Sequence, residues 1–365
     1  MAPRAPSPFS RLSARDPWPA RIGNSRPQHA GRPISSTGSS MDRGPNLKPL
    51  PQRVAFFGGN HNIGIAAAQY VQEESPRTRV RLIIRQEKHR PALEARFPDV
   101  EVVFGDYYDL PSLEEALQEV QGVFVLTPDF IDEQRAMTNL IYAVRANPGV
   151  QHVVRMLADM PGMTEKRVPY YVKRYGGGPA IQHLWAKKML DDSGLPVTFL
   201  NAAAYFMQDF TSPLFNAAIS RHRLLAMPRN RRVGFIDSAD IGRCAAALLL
   251  SPNHRHIGQI YHLDNNGDVM WLDELAALMT EVLGEEIRYD GSDETFLRLN
   301  GEGMKAYSKR QDADQFGLDL FQFEKDNDTL WRKSDIVEYL SGRKPVTLRD
   351  WLAANRAALL NGPNV

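Results

Sequence analysis

The chain has 365 residues, 43% hydrophobic and 24% charged, with a formal net charge of +1. That is enough apolar matter for one large core or two unequal ones, and too little net charge to draw nucleic acid or an anionic membrane. No run approaches the roughly eighteen apolar residues of a membrane span, and a single cysteine, Cys244, excludes an internal disulfide framework and a cysteine-based zinc cluster.

Residues 1–50 are rich in Pro, Arg, Ser and Gly, carry only Asp16 and Asp42 as acids, and lack apolar periodicity. They are expected to be a disordered extension. Three readings stay open: a plain extension of a cytoplasmic protein, a mitochondrial-type transit segment, or a stretch upstream of a natural start at Met41. Cytoplasmic is the first choice.

From residue 52 strands and helices alternate. Strands are expected at 53–57, 80–84, 101–104, 122–126, 151–155 and 196–200, and helices near 63–74, 88–96, 112–119, 131–146 and 180–193. The pattern predicts an α/β, Rossmann-type doubly wound parallel sheet over 51–203. The first strand meets Gly58, Gly59, Asn60, His61, Asn62, Ile63 and Gly64, the strand–turn–helix opening of a dinucleotide-binding unit, with histidine at the middle glycine position. A tight turn with no ligand is the plain alternative. Arg85 ends the second strand, about twenty residues on, where a basic residue suits a 2′-phosphate and an acid would suit a free ribose. That points to NADP(H), against a simple surface arginine.

Further strand ends supply groove candidates: Asp106 and Tyr107 after the third strand, Thr127 and Pro128 after the fourth. Ser112 and Glu115 have capping-box spacing. On the 180–193 helix His183 and Lys187 lie four apart, hence on one face. Lys187 could order a ribose, and His183 or a tyrosine of 170–175, with Tyr171 preferred, could supply a proton. The alternative is a core histidine and a surface lysine. The usual Tyr-x-x-x-Lys of short-chain reductases is missing, and Met156, Leu157 and Ala158 stand where its serine would.

Beyond residue 203 the alternation fails, and 204–365 reads as a smaller C-terminal α/β cap or substrate region, with 237–262 returning to the core. A helix is expected at 239–250, with Asp237, Asp240 and Gly242 around its start and Cys244 as a buried thiol, then a strand at 258–263, a helix at 271–283 and a strand at 287–289. Arg221, His222, Arg223, Arg229, Arg231 and Arg232 read first as a solvated basic run, and second as a lure for an acidic ligand. A capped amphipathic helix closes the chain from Val346.

In order and spacing these pieces resemble the NmrA-like family, atypical members of the short-chain dehydrogenase/reductase superfamily. The matching residues are the Gly58–Gly64 turn, Ile84-Arg85, Val103-Phe-Gly-Asp106, His152-Val-Val154, His183-x-x-x-Lys187, Asp192-Ser-Gly-Leu-Pro-Val-Thr198, Tyr205-Phe-Met207 and Asp237-Ser-Ala-Asp240-Ile-Gly242. The resemblance implies NADP(H) or NAD(H) binding. It also implies one of two roles: a reductase of a quinone-, enone- or polyketide-like small molecule, or a non-catalytic redox sensor that reports to a protein partner. A non-redox use of the cofactor ranks third. The protein is expected as a monomer or homodimer, with no nucleic-acid or membrane partner.

Overall fold

The computed structural model describes residues 47–362 except 203, 329 and 331, so most of the expected disordered extension lies outside the described residues. Residues 47–50 do not follow that expectation: Leu47 bridges Asn253, and the buried Lys48 ammonium donates to Leu249 O at 2.6 Å.

The first elements are β1 (Arg53–Phe57), α1 (Asn62–Glu74), β2 (Arg79–Ile84), α2 (Arg90–Arg96), β3 (Glu101–Phe104) and α3 (Leu110–Ala116). Next come β4 (Gly122–Val125), α4 (Glu133–Ala146), β5 (His152–Leu157), α5 (Tyr170–Lys173), α6 (Gln182–Ser193) and β6 (Val197–Ala202). Then β7 (Tyr205–Phe206), α7 (Asn216–His222), β8 (Leu224–Ala226), β9 (Arg232–Ile236), α8 (Ser238–Leu250) and β10 (Ile260–Leu263) follow. The chain continues through β11 (Val269–Trp271), α9 (Leu272–Leu283), β12 (Arg288–Asp290), α10 (Asp293–Ser308) and α11 (Ala313–Asn327), and closes with α12 (Ile336–Ser341), α13 (Leu348–Ala354) and α14 (Arg356–Asn361).

Seven parallel strands form one sheet in the order β10-β6-β5-β4-β1-β2-β3. Strands buried on both faces explain the continuous apolar runs. Alternate residues serve opposite layers: Val54, Phe56, Leu82, Ile84 and Phe124 pack toward α1 and α8. Ala55, Phe57, Ile83, Val123 and Val125 pack toward α3, α4 and α6. The α1–α8 contact is close because Gly242 has no side chain; a Cβ there would overlap the Ile63 carbonyl and lie 3.0 Å from Ala67 N. The strand order reverses between β1 and β4, so the crevice above their carboxyl ends is where such sheets take ligands.

After β6 the chain builds a second layer from two small sheets, β11-β9-β7 and β12-β8, with helices α7, α9, α10, α11, α13 and α14. α8 and β10 belong to the main sheet. Three local expectations change. α3 begins at Leu110, two residues before Ser112, whose Oγ accepts from Asp106 N and donates to Asp109 O instead of capping. The closing helix breaks at Asn355, whose Nδ2 donates to Trp351 O. α10 and α11, for which no helix was expected, form one wall of the cavity described next.

Arg221 and His222 of the basic run are exposed, as a solvated run requires, but the other four residues form an ion-paired seam. Arg223 meets Glu285, Arg229 meets Asp293, Arg231 is buried against Glu324, and Arg232 meets Asp328.

Candidate functional site

The β1–α1 turn is held by Gly59 N donating to Ile83 O at 3.1 Å and His61 N donating to Gly58 O at 2.8 Å. Gly58 sits at φ +70°, a left-handed conformation that glycine takes without cost. Cβ atoms at Gly59 and Gly64 would come within 2.7 Å of Leu82 Cβ and 2.6 Å of Gly58 O, so packing alone requires both glycines. His61 does not fill the mouth of the turn. It caps α1, its Nδ1 accepting from Ile63 N at 3.4 Å, and burial lowers its pKa, which keeps the ring neutral. The backbone N–H groups of Asn60, Asn62 and Gly64 have no acceptor among the described residues. Three free amides at a positive helix start fit a diphosphate. Arg85 is exposed at the end of β2, and no partner holds its guanidinium among the described residues.

The other groove candidates have structural bonds. Asp106 Oδ1 accepts from Tyr108 N at 2.9 Å. Tyr107 is buried, stacked on Phe57 with ring centres 4.7 Å apart, and its hydroxyl donates to Leu126 O. Pro128 O accepts from Gln182 Nε2. Thr127 belongs to a network that the sequence reading missed, centred on Arg155 of β5. The fully buried guanidinium donates to Glu133 Oε1 at 2.8 Å and Thr127 Oγ1 at 2.7 Å, and approaches His183 Nδ1 at 3.5 Å. Burial and the Arg155 charge together hold His183 well below its ordinary pKa. An imidazole so placed is neutral and supports the strand ends, a poor position for a proton donor. Lys187 turns the other way, pairing with Asp191 and resting over the Phe199 ring at 4.8 Å. Tyr171 packs beside α11, where burial and then the charges of Asp326 and Asp319 raise its pKa. The structure thus does not bring His183, Lys187 and Tyr171 onto one ligand.

What it does bring together is an open cavity above the ends of β5 and β6, walled by α10 and α11. Its lining is largely apolar and aromatic, with Phe130, Phe206, Phe215 and Phe316 among the walls; none of His183, Lys187 or Tyr171 reaches it. The acid that lines it near the β5 end is Asp159. Two backbone-to-side-chain bonds with Asn201, each 2.8 Å, fix its main chain. The side chain is buried, Oδ1 has no partner, and burial, against the pull of Arg155, pushes its pKa up to about 7. A carboxyl poised near neutrality in a cleft has the properties of a general acid. The signal in the sequence was an acid at the carboxyl end of a central strand.

Residues 51–306 match the profile of the NmrA-like family. Quinone oxidoreductase 2 of Escherichia coli is 24% identical over 243 residues, 66% of this chain and 78% of that protein. An NAD(P)H azoreductase of Xenophilus azovorans is 27% identical over 237 residues, 65% of this chain and 76% of that protein. Among solved structures, Citrobacter sp. triphenylmethane reductase complexed with NADP(H) superposes with a TM-score of 0.66 at 19% identity, covering 83% of this chain and 99% of that one.

Proposed function

The chain belongs to the NmrA-like family, and from that premise we propose that it is an NADP(H)-dependent reductase of a bulky, partly aromatic quinone-, enone- or polyketide-like molecule. The observation that carries the reading is one chain that has both unbonded amides at the start of α1 and, at the β5 end of the same sheet, an aromatic cavity that holds a near-neutral carboxyl. The two relatives named for quinone and azo reduction support the same class of reaction.

In this reading the amides of Asn60, Asn62 and Gly64 bind the diphosphate, and Arg85 takes the 2′-phosphate. Bound reduced nicotinamide supplies the hydride. Asp159, protonated, gives its proton to the oxygen that gains charge as the substrate is reduced, in a site where apolar walls exclude water. Lys187 contributes positive charge within reach of Asp159 and lowers that group's pKa slightly against the dominant effect of burial. His183 holds Arg155 and so acts as a positioning residue.

The test is NADPH oxidation against a panel of quinones, enones and aldehydes. Asp159→Asn is expected to lower turnover roughly 10²- to 10⁴-fold while NADPH affinity stays within about three-fold. Because Asp159 acts as an acid with a pKa of about 7, the wild-type rate should fall as pH rises through that value. Full turnover in Asp159→Asn would remove the acid from the scheme; no turnover with any acceptor would remove the reductase.

A further inference from the structure

Four acids line the cavity: Glu324 is paired with Arg231, and Asp129, Asp159 and Asp209 have no ion-pair partner among the described residues. The charges that reach Asp159 are those of Arg155, Glu133 and Lys187. Asp209, from the turn after β7, feels the charge of Asp129, from the loop after β4, which itself feels Glu133, and both aspartates reach the Tyr307 hydroxyl of α10. Asp129, Asp209 and Tyr307 all line the cavity, and none of their side chains has a hydrogen-bond or ion-pair partner among the described residues. Asp159, on the same wall, is only 7% exposed and carries a fully buried, unpartnered Oδ1. No lysine, arginine or histidine lines the cavity among the described residues.

Several charges buried elsewhere in the molecule are ion-paired. Arg155 is matched by Glu133, Arg231 by Glu324, and Asp240 by Arg243. The cavity instead holds three carboxyls with no ion-pair partner among the described residues, Asp159 buried, Asp209 half-buried and Asp129 exposed at the mouth, which a cationic ligand would pair. Charges drawn out of bulk water are tolerated when paired, and the faces of Phe316 and Tyr307 add attraction for a cation, while the Phe130 ring already carries the Arg310 guanidinium at 4.4 Å. Resting on the reductase reading, we infer that the cavity selects an aromatic substrate bearing a protonated amine, with Asp129 and Asp209 taking the ammonium group and Asp159 facing the reacting end. A carboxylate- or sulfonate-bearing analogue would meet only repulsion and unpaired acids.

The experiment is direct binding to the cofactor-free protein at pH 8, where Asp129, with a pKa of about 6, and Asp209, about 7, are ionised. Three matched probes are titrated by calorimetry or naphthyl fluorescence: 2-(2-naphthyl)ethylamine, its N-acetyl derivative and 2-naphthylacetate. The amine should bind at least ten-fold tighter than the amide, and the carboxylate weakest. Asp129→Asn and Asp209→Asn should each weaken the amine about five- to ten-fold and move the amide less than two-fold. The double variant should cut the preference below about three-fold, the remainder coming from Asp159, which with a pKa of about 7 is also ionised at pH 8, and the unchanged amide serves as the check on folding. Equal binding of amine and amide in the wild type, or a preference left undiminished in the double variant, overturns the inference. Since no cofactor is present, failure here leaves the reductase reading to its own turnover assay, and absence of turnover leaves the cation preference standing.

Discussion

Replacing Gly64 with alanine tests whether the β1–α1 turn is both a packing joint and a ligand cradle. The added Cβ would stand 2.6 Å from Gly58 O, 3.0 Å from Gly59 Cα and 3.2 Å from Gly58 C, whereas ordinary contact begins near 3.4 Å. The first turn of α1 and the loop must therefore separate by about 0.8 Å, and no side chain can rotate away because the obstacles are backbone. Such overpacking costs about 1–3 kcal/mol, and the gain in helix propensity returns at most about 1 kcal/mol, leaving a net loss on the order of 1–2 kcal/mol. The same shift carries the Asn62 and Gly64 amides out of the 2.7–3.2 Å range for N–H···O bonds. Losing one charge-assisted bond is worth about 1.5–3 kcal/mol, a roughly ten- to hundred-fold weaker diphosphate. Urea denaturation and NADPH titration measure the two effects, with Gly149→Ala as control, since its Cβ would meet only Val120 O at 3.7 Å. A Gly64→Ala protein as stable as wild type, with unchanged NADPH affinity, would refute the reasoning.

Two further predictions concern buried charge. Arg155→Met strands the Glu133 carboxylate, fully buried at 2.8 Å from its partner, and should cost about 3–5 kcal/mol in urea denaturation, while Arg155→Met with Glu133→Leu recovers most of it. The recovery is expected because burial, the largest influence on Glu133, outweighs Arg155 and raises its pKa; a single-variant loss under about 1 kcal/mol would contradict this. Asp159 and Asp209, raised from 3.8 to about 7, and Asp129, raised to about 6, bind protons more tightly folded than unfolded. Their contribution therefore makes stability fall as pH rises from about 4 to about 7. Asp159→Asn with Asp209→Asn should flatten that slope in denaturation curves taken across the window, and an unchanged slope would count against the buried carboxyls.

The main sheet was legible because its strands are buried on both faces, so runs such as Val123-Phe-Val125 carry one signal over their whole length. The turn was legible for the same reason its glycines are required: Gly59 and Gly64 leave no room for a Cβ. Ser112 misled because its hydroxyl serves the preceding loop. α10 escaped because Gly301 and Gly303 interrupt its periodicity, although Ser292 accepting from Thr295 N and the acids Asp293 and Glu294 mark its start. Gly303 is needed there because a Cβ would overlap the Pro213 carbonyl. His183 and Lys187 share a helical face by spacing, yet the first is drawn inward by Arg155 and the second outward by Asp191. Periodicity gives the angle of departure from a helix; it does not give the partner that a side chain finds. Asp159 and the Asp129–Asp209 pair come together only through tertiary folding, across segments fifty and eighty residues apart in sequence.

Calorimetric titration of the wild-type protein and Arg85→Ala with NADPH and NADH addresses the cofactor claim most directly. The account predicts one NADPH per chain, NADPH bound at least ten-fold tighter than NADH, and loss of that preference in Arg85→Ala with NADH affinity retained. Binding of neither nucleotide would contradict it at the root.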